Sequence, residues 1–446
     1  MSLALLTDKY ELTMVEAALK DGTAGRRCVF EAFARRLPGG RRYGVVAGSG
    51  RLMELLAELT FNTPDGTLEY LEASRTVGPA TAAWLRDYRF GGSITGYAEG
   101  ECYFPGSPVL TVEGTFAECV ILETLILSVL NHDCAVASAA SRMTAAAGRR
   151  PCLEMGARRT HEEAAVAAAR AAYVAGFTGT SILEAGRRWG IPTIGTAAHA
   201  FTLLHDDERA AFASQLAAQG NATTLLLDTY DVPTAVRTAI DLAGPQLGSV
   251  RLDSGDLLDL AAKVRAQLDA LGARGTGITV TSDLDEYAIA ALAVAPVNSY
   301  GVGTRLVTGS GVPTAEMVYK LVAREGPDGH LQPVAKKSAG GKSTVAGAKW
   351  AGRRIDDAGV AEEEVIVTAE GPMPSAPDDY GLRPLQVQYV EGGVIDQQWT
   401  GREGLVKAAR RHAASRAELP PGALRLSEGE PAIPTVLTTA RQAAGA

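Results

Sequence analysis

The chain has few cysteines, few histidines, few aromatic residues and no long basic run. Its five cysteines, Cys28, Cys102, Cys119, Cys134 and Cys152, are scattered over 446 residues without CxxC spacing. That excludes a clustered zinc site and a dense disulfide framework, and a reducing, cytoplasmic setting is expected. Lysine and arginine number 43 against 51 for aspartate and glutamate, a formal net charge of −8, so no nucleic-acid partner is expected. The N-terminus, MSLALLTDKYELT, lacks a basic segment followed by a signal-length apolar run. The most apolar stretch, CVILETLILSVLNHDCAVASAA, is interrupted by Glu123 and by Asn131-His132-Asp133. It falls short of the roughly 20 apolar residues that span a bilayer, so it reads as a buried helix and no membrane partner is expected. Hydrophobic residues make up 46% of the chain, enough for a sizeable core shared by two or three domains.

Residues 1 to about 117 mix helices with alternating strands, as an α+β domain does. From Pro151 to about 310 the rhythm changes: CLEMG, FTGTS, IPTIGTAAH, TTLLLDTYD, SVRLDSGD and ITVTSD are each followed by a helical stretch, and SYGVGT ends the series. About seven such strands predict a parallel sheet, either open or closed as a barrel. The strand ends favour the barrel. They carry Arg158 and Arg159, Thr180-Ser181, Thr196 and His199, Asp228, Arg251 and Asp253, Ser282-Asp283, then Gly301 and Gly303, and the carboxyl-end face of a barrel gathers such residues most simply. Seven strands in place of eight point to an irregular or incomplete barrel. Beyond 315, MVYKLVA reads as a strand, AKKSAGGKSTVAGAKW as an ordered surface loop or short hairpin, and ELPPGALRLSEGEPAIPTV as a proline-rich wrap.

In SVRLDSGD, Arg251 and Asp253 project to one side of a strand and Leu252 to the other. A guanidinium beside a carboxylate suits an anion and a hydroxylated ligand. Asp256 reads equally as a helix N-cap and as a ligand contact, and Ser282 in SDLD as a cap compatible with ligand binding. Asp253, Asp256 and Asp283 suit a phosphorylated sugar and its Mg²⁺. YGVGT offers backbone amides to a phosphate at Gly301 and Gly303. His199, taken alone, reads as a core histidine; at a strand end in this series it is a candidate acid, base or nucleophile. Asp228 would orient it or bind the sugar, and His205 reads as solvated. Arg158 and Arg159 cannot both face inward on one strand, so one is expected at the surface or against a neighbouring subunit. Tyr10, in TDKYE, taken alone reads as helix-start packing.

The segments LLTDKYELTM, LEMGARR, GFTGTS, IPTIGTAAHAF, LLLDTYD, VRLDSGDL, ITVTSDLDE, YGVGT and VYKLV, in this order, resemble the nicotinate phosphoribosyltransferases among the type II phosphoribosyltransferases. The resemblance covers most of the chain. It implies an irregular, incomplete α/β barrel over 118–339, packed against an α+β domain formed by 1–117 plus 340–446, in a homodimer with shared sites. The implied reaction joins nicotinate to phosphoribosyl pyrophosphate, giving nicotinate mononucleotide and pyrophosphate for NAD salvage. It would be coupled to ATP hydrolysis, with Mg²⁺ held mainly through substrate phosphates. By motif match His199 would be phosphorylated by ATP, with Asp228 and Arg251 as the other catalytic residues. Tyr10 of the partner subunit and Phe177 would flank the pyridine ring, and Thr196 and Arg251 would hold nicotinate. Gly156, Arg158, Asp253, Ser282, Asp283, Gly301, Gly303 and Thr304 would line the phosphoribosyl pyrophosphate side.

Two positions depart from the family pattern: Ile182 stands where asparagine is common, removing a side-chain hydrogen bond, and Ala157 replaces a commoner larger residue. Two other readings compete. A nicotinamide-using relative would want a carboxylate acceptor for the amide where nicotinate wants an arginine. A non-catalytic nucleotide-binding regulator would keep the fold, but the retention of His199, Asp228, Arg251 and Asp253 argues against it.

Overall fold

The computed structural model describes residues 2–336, 344–368 and 381–439. Two compact units emerge, one formed by Met1–Ser138 with Val312–Ala446 and the other by Ala139–Gly311.

The second unit contains the alternating α/β region. Its parallel sheet runs, in spatial order, Gly179–Thr180, Cys152–Glu154, Ser299–Val302, Gly277–Val280, Ser249–Leu252, Thr224–Leu226. A single bridge from Thr180 to Thr193 adds a seventh position beyond Gly179–Thr180. Chain order therefore runs around the sheet cyclically, as in a barrel, but among the described residues no ladder closes Thr193 onto Thr224–Leu226. The result is a curled, incomplete barrel, as expected.

Side-chain alternation fixes which way each strand faces. Val250, Leu252, Ile278, Val280, Tyr300 and Val302 are fully buried, while Ser249 and Arg251 alternate with Val250 and Leu252 at intermediate exposure. Helices begin where a carboxylate satisfies free backbone amides. Asp207 accepts from Ala210 N at 2.7 Å, Asp231 from Thr234 N at 3.0 Å and Asp285 from Ala288 N at 2.9 Å. Asp256 accepts from both Leu258 N and Asp259 N, at 3.2 and 3.3 Å, so its capping reading holds. Ser282 does not cap. It has φ 119°, outside the extended region a cap residue adopts, and the role passes to Asp285.

The first unit is α+β. Its seven-stranded antiparallel sheet runs Leu331–Pro333, Met317–Glu325, Arg27–Ala34, Leu110–Thr115, Ser93–Tyr97, Gln386–Glu391, Val394–Ile395, so both ends of the chain contribute. Phe30 stacks on Tyr319 with ring centroids 4.9 Å apart. Met317–Glu325 pairs with Arg27–Ala34 along its length, which draws residues from 312 onward into this unit, although the resemblance assigned them to the barrel. The long helix Glu123–Ala147 runs across the division at 138/139. Phe116–Ala147 is apolar and long enough to cross a membrane by length and composition alone, but 67% of its apolar window is buried inside the protein, as in a core helix. Residues 337–343 of the lysine- and glycine-rich segment read as a loop or hairpin lie outside the described residues, and its last two residues open the strand Lys349–Ile355.

Candidate active site

The carboxyl ends of the parallel strands surround a cleft of about 570 Å³, within the size range of small-ligand sites. Arg158, Arg159, Thr196, His199, Arg251, Asp253, Ser282, Asp283, Gly301, Gly303 and Thr304 all line it, as do Ala157, Ser181 and Thr281.

Arg251 is the most constrained of these side chains. Its Nε–H donates to Thr281 Oγ1 at 2.9 Å, Nη1 to Thr196 Oγ1 at 3.0 Å and Nη2 to Asp253 Oδ1 at 2.9 Å. A guanidinium has five N–H donors, so one remains on each terminal nitrogen. Asp253 Oδ1 also accepts from Thr281 Oγ1, while Oδ2 lies 3.9 Å from His199 Nε2. Burial pushes the Asp253 carboxyl up, but the Thr281 and Arg251 hydrogen bonds, helped by the charge of Arg251, outweigh it and hold it below the usual range.

His199 does not end a strand. Pro192 lacks an N–H and only Thr193 bridges, so the expected ladder stops there, and His199 opens the short helix His199–Leu204. Its Nδ1 is 3.2 Å from Thr229 Oγ1, and its Nε2 is 3.9 Å from Asp228 Oδ1. Asp228 sits behind the cleft wall. Its Oδ2 accepts from Asp253 N at 2.9 Å and Ser254 Oγ at 2.6 Å, whereas its Oδ1 is buried without a hydrogen-bond partner.

Arg158 and Arg159 both reach the cleft, contrary to the one-in, one-out expectation. The strand stops at Glu154, and the two arginines lie on a 3₁₀ turn, Ala157–Arg159, where consecutive side chains need not alternate faces. Neither has an ion-pair partner among the described residues. Gly156 does not line the cleft. A Cβ there would lie 2.3 Å from Val307 and 3.1 Å from the Gly303 carbonyl, so its missing side chain serves loop-to-loop packing. Phe177 is 2% exposed and is likewise absent from the lining. Tyr10 belongs to the other unit, on helix Lys9–Asp21, where it is 42% exposed. Ile182 occupies the N-cap of helix Leu183–Trp189, where its apolar side chain makes no capping hydrogen bond.

Two contributors escaped the sequence reading. Glu154, 1% exposed, accepts from Thr180 Oγ1 at 2.5 Å and from the Gly156 amide; burial pushes its carboxyl up against those hydrogen bonds. A carboxylate inside the apolar run CLEMG was the available signal. Thr281 was visible only as a hydroxyl just past a strand.

A model of the nicotinate phosphoribosyltransferase N-terminal domain matches residues 5–131. Nicotinate phosphoribosyltransferase pncB1 of Mycobacterium tuberculosis is 54% identical over 439 residues, covering 97% of this chain and 94% of its own. The nicotinate phosphoribosyltransferase of Bacillus subtilis is 37% identical over 348 residues, covering 76% and 70%. The crystal structure of human nicotinic acid phosphoribosyltransferase superposes with a TM-score of 0.81 at 27% identity, covering 97% of each chain. With that identity sustained over nearly its whole length, the chain belongs to the nicotinate phosphoribosyltransferase family.

Proposed function

We propose that this chain transfers the phosphoribosyl group of phosphoribosyl pyrophosphate to the ring nitrogen of nicotinate, giving nicotinate mononucleotide and pyrophosphate for NAD salvage. The observation that carries this reading is the donor count at Arg251. Three N–H groups are committed to Thr281, Thr196 and Asp253, and the two left over, one per terminal nitrogen, match the two oxygens of a carboxylate. A carboxamide presents one acceptor and two donors of its own, so the same fork disfavours nicotinamide.

At the anomeric carbon the bond to pyrophosphate oxygen breaks as the bond to nitrogen forms, through a state with oxocarbenium character. Positioning and charge then supply the catalysis. Asp253 Oδ2, not engaged by Arg251, would stabilise the positive ribose, and Arg158 and Arg159, without ion-pair partners among the described residues, would receive phosphates. Among the described residues no cluster of three or more histidine, cysteine or carboxylate side chains forms a resident metal site. Asp253 and Asp283 would offer the one or two hard oxygens that Mg²⁺ takes beside substrate phosphates. Such an ion, when bound, neutralises charge on the departing pyrophosphate.

His199 is the proposed phosphoryl acceptor from ATP. In the tautomer that donates Nδ1–H to Thr229 Oγ1, Nε2 keeps its lone pair, and Asp228 and Asp253 would balance the positive charge of the phosphorylated imidazole ring. ATP and water thus yield ADP and phosphate alongside the transfer. Exposed Tyr10 is consistent with donation to a partner's site in a homodimer, and five buried, free cysteines suit a cytoplasmic protein.

Pyrophosphate release measured with and without ATP tests the scheme. ATP should raise turnover in the parent and have no effect on His199→Ala. An unchanged ATP response in that variant would refute the phosphohistidine, and binding of both substrates without any pyrophosphate release would favour a regulator.

A further inference from the structure

Three contacts converge on Thr281, a 3% exposed residue directly after strand Gly277–Val280. Its hydroxyl accepts from Arg251 Nε at 2.9 Å and makes a close contact with Asp253 Oδ1, and its backbone N–H donates to Leu252 O at 2.9 Å. We propose that Thr281 is a positioning residue. It aims the Arg251 fork at the carboxylate of the acceptor and divides Asp253 into one fixed and one working oxygen, an inference that rests on the nicotinate reading of the cleft.

A hydroxyl has one proton and two lone pairs. The lone pair facing Arg251 Nε is occupied, and the proton has two candidate acceptors, Asp253 Oδ1 and the Leu252 carbonyl at 3.4 Å. The carboxylate is both closer and charged, so it takes the proton. Thr281 and Asp253 Oδ1 together occupy Nε and Nη2, and Thr196 holds Nη1, which fixes the guanidinium plane at three points. Asp253 Oδ1 is thereby consumed by two donors, and only Oδ2 is left toward His199 and the ribose.

The other branch of the side chain explains why the residue is threonine. A Cβ added at Gly301 would lie 2.5 Å from Thr281 Cγ2, so the neighbouring strand leaves room for this methyl group. Packed on that side, the side chain can present its hydroxyl only toward the Arg251–Asp253 pair. Sequence alternation could not show this, because it depends on a glycine in an adjacent strand 20 residues away.

Thr281→Val keeps the shape and removes the hydroxyl; Thr281→Ser keeps the hydroxyl and removes the methyl. The readout is the ratio of kcat/KM for nicotinate to that for nicotinamide, in which a general loss of folded or competent enzyme cancels. The ratio should fall about tenfold or more in Thr281→Val, the scale of one lost charge-assisted hydrogen bond, and recover to within a few-fold of the parent in Thr281→Ser. A parental ratio in folded Thr281→Val, or equal loss in both variants, would overturn the proposal. Solvent exchange of the Arg251 Nε proton, followed by NMR in the free proteins, decides independently of turnover. It should be slow in the parent and in Thr281→Ser and fast in Thr281→Val, and equal rates in all three would also overturn it. If the parent fails to use nicotinate while the exchange pattern appears, the functional reading fails and the clamp stands.

Discussion

At Arg251, charge and geometry separate. Lysine would preserve the charge at this site but offers a point cation in place of a planar fork, and it cannot serve Thr281, Thr196, Asp253 and a carboxylate together. Arg251→Lys should therefore raise the KM for nicotinate by roughly 10- to 100-fold, the range expected when hydrogen bonds to a charged group are lost. A smaller effect on KM for phosphoribosyl pyrophosphate is expected, and steady-state kinetics with each substrate varied in turn checks it. The sequence showed this residue well, because alternation alone places Arg251 and Asp253 on one strand face. It could not show that Ser282 is held at φ 119°, a conformation that costs a non-glycine residue about 1–3 kcal/mol. It could not show that Asp228 turns an unpartnered buried oxygen toward His199 either. Both depend on where the next strand lies.

Among the elements, the strands were legible from their short apolar runs and aspartate caps, and the incomplete barrel from their number. IPTIG was over-read. Its proline and glycine leave only a one-residue bridge at Thr193, so the histidine expected at a strand end starts a helix instead. The arginine pair was misplaced for a related reason, since strand Cys152–Glu154 ends before it and a 3₁₀ turn takes over. Glycine roles also divide at this scale. Gly301 reads in sequence as phosphate-binding and lines the cleft, and a Cβ added there would lie 2.5 Å from Thr281 Cγ2 and 2.7 Å from Met155 Sδ. Gly301→Ala should overpack the strands, costing about 1–3 kcal/mol, and displace Thr281. The measurements are the urea unfolding midpoint and kcat/KM for nicotinate, and both should fall.

Across the molecule, the unit built from both chain ends was the harder to foresee, because buried charges look solvated in sequence. Arg353 and Glu364 lie in adjacent strands as one fully buried pair 3.0 Å apart, and Arg383 and Arg411 close on Glu101 at 2.7 and 3.2 Å, tying residues near 100 to those beyond 350. Asp133 in the same unit gives the pH dependence a definite sign. Burial pushes its carboxyl up, but Arg51 and His132 overcome this and hold it at about 2, against an ordinary 3.8. A depressed folded-state value contributes stability above about pH 4 that is lost as pH falls toward 2, worth roughly 2 kcal/mol. Asp133→Asn should therefore lower the urea midpoint at neutral pH and flatten the acid limb between pH 4 and 2. The central claim concerns the whole enzyme, and the most direct test is product stoichiometry. Purified protein given nicotinate, phosphoribosyl pyrophosphate, Mg²⁺ and ATP should form nicotinate mononucleotide and pyrophosphate in equal amounts, with far lower turnover when nicotinamide replaces nicotinate. Equal turnover of the two acceptors, or no mononucleotide from nicotinate, would contradict the account.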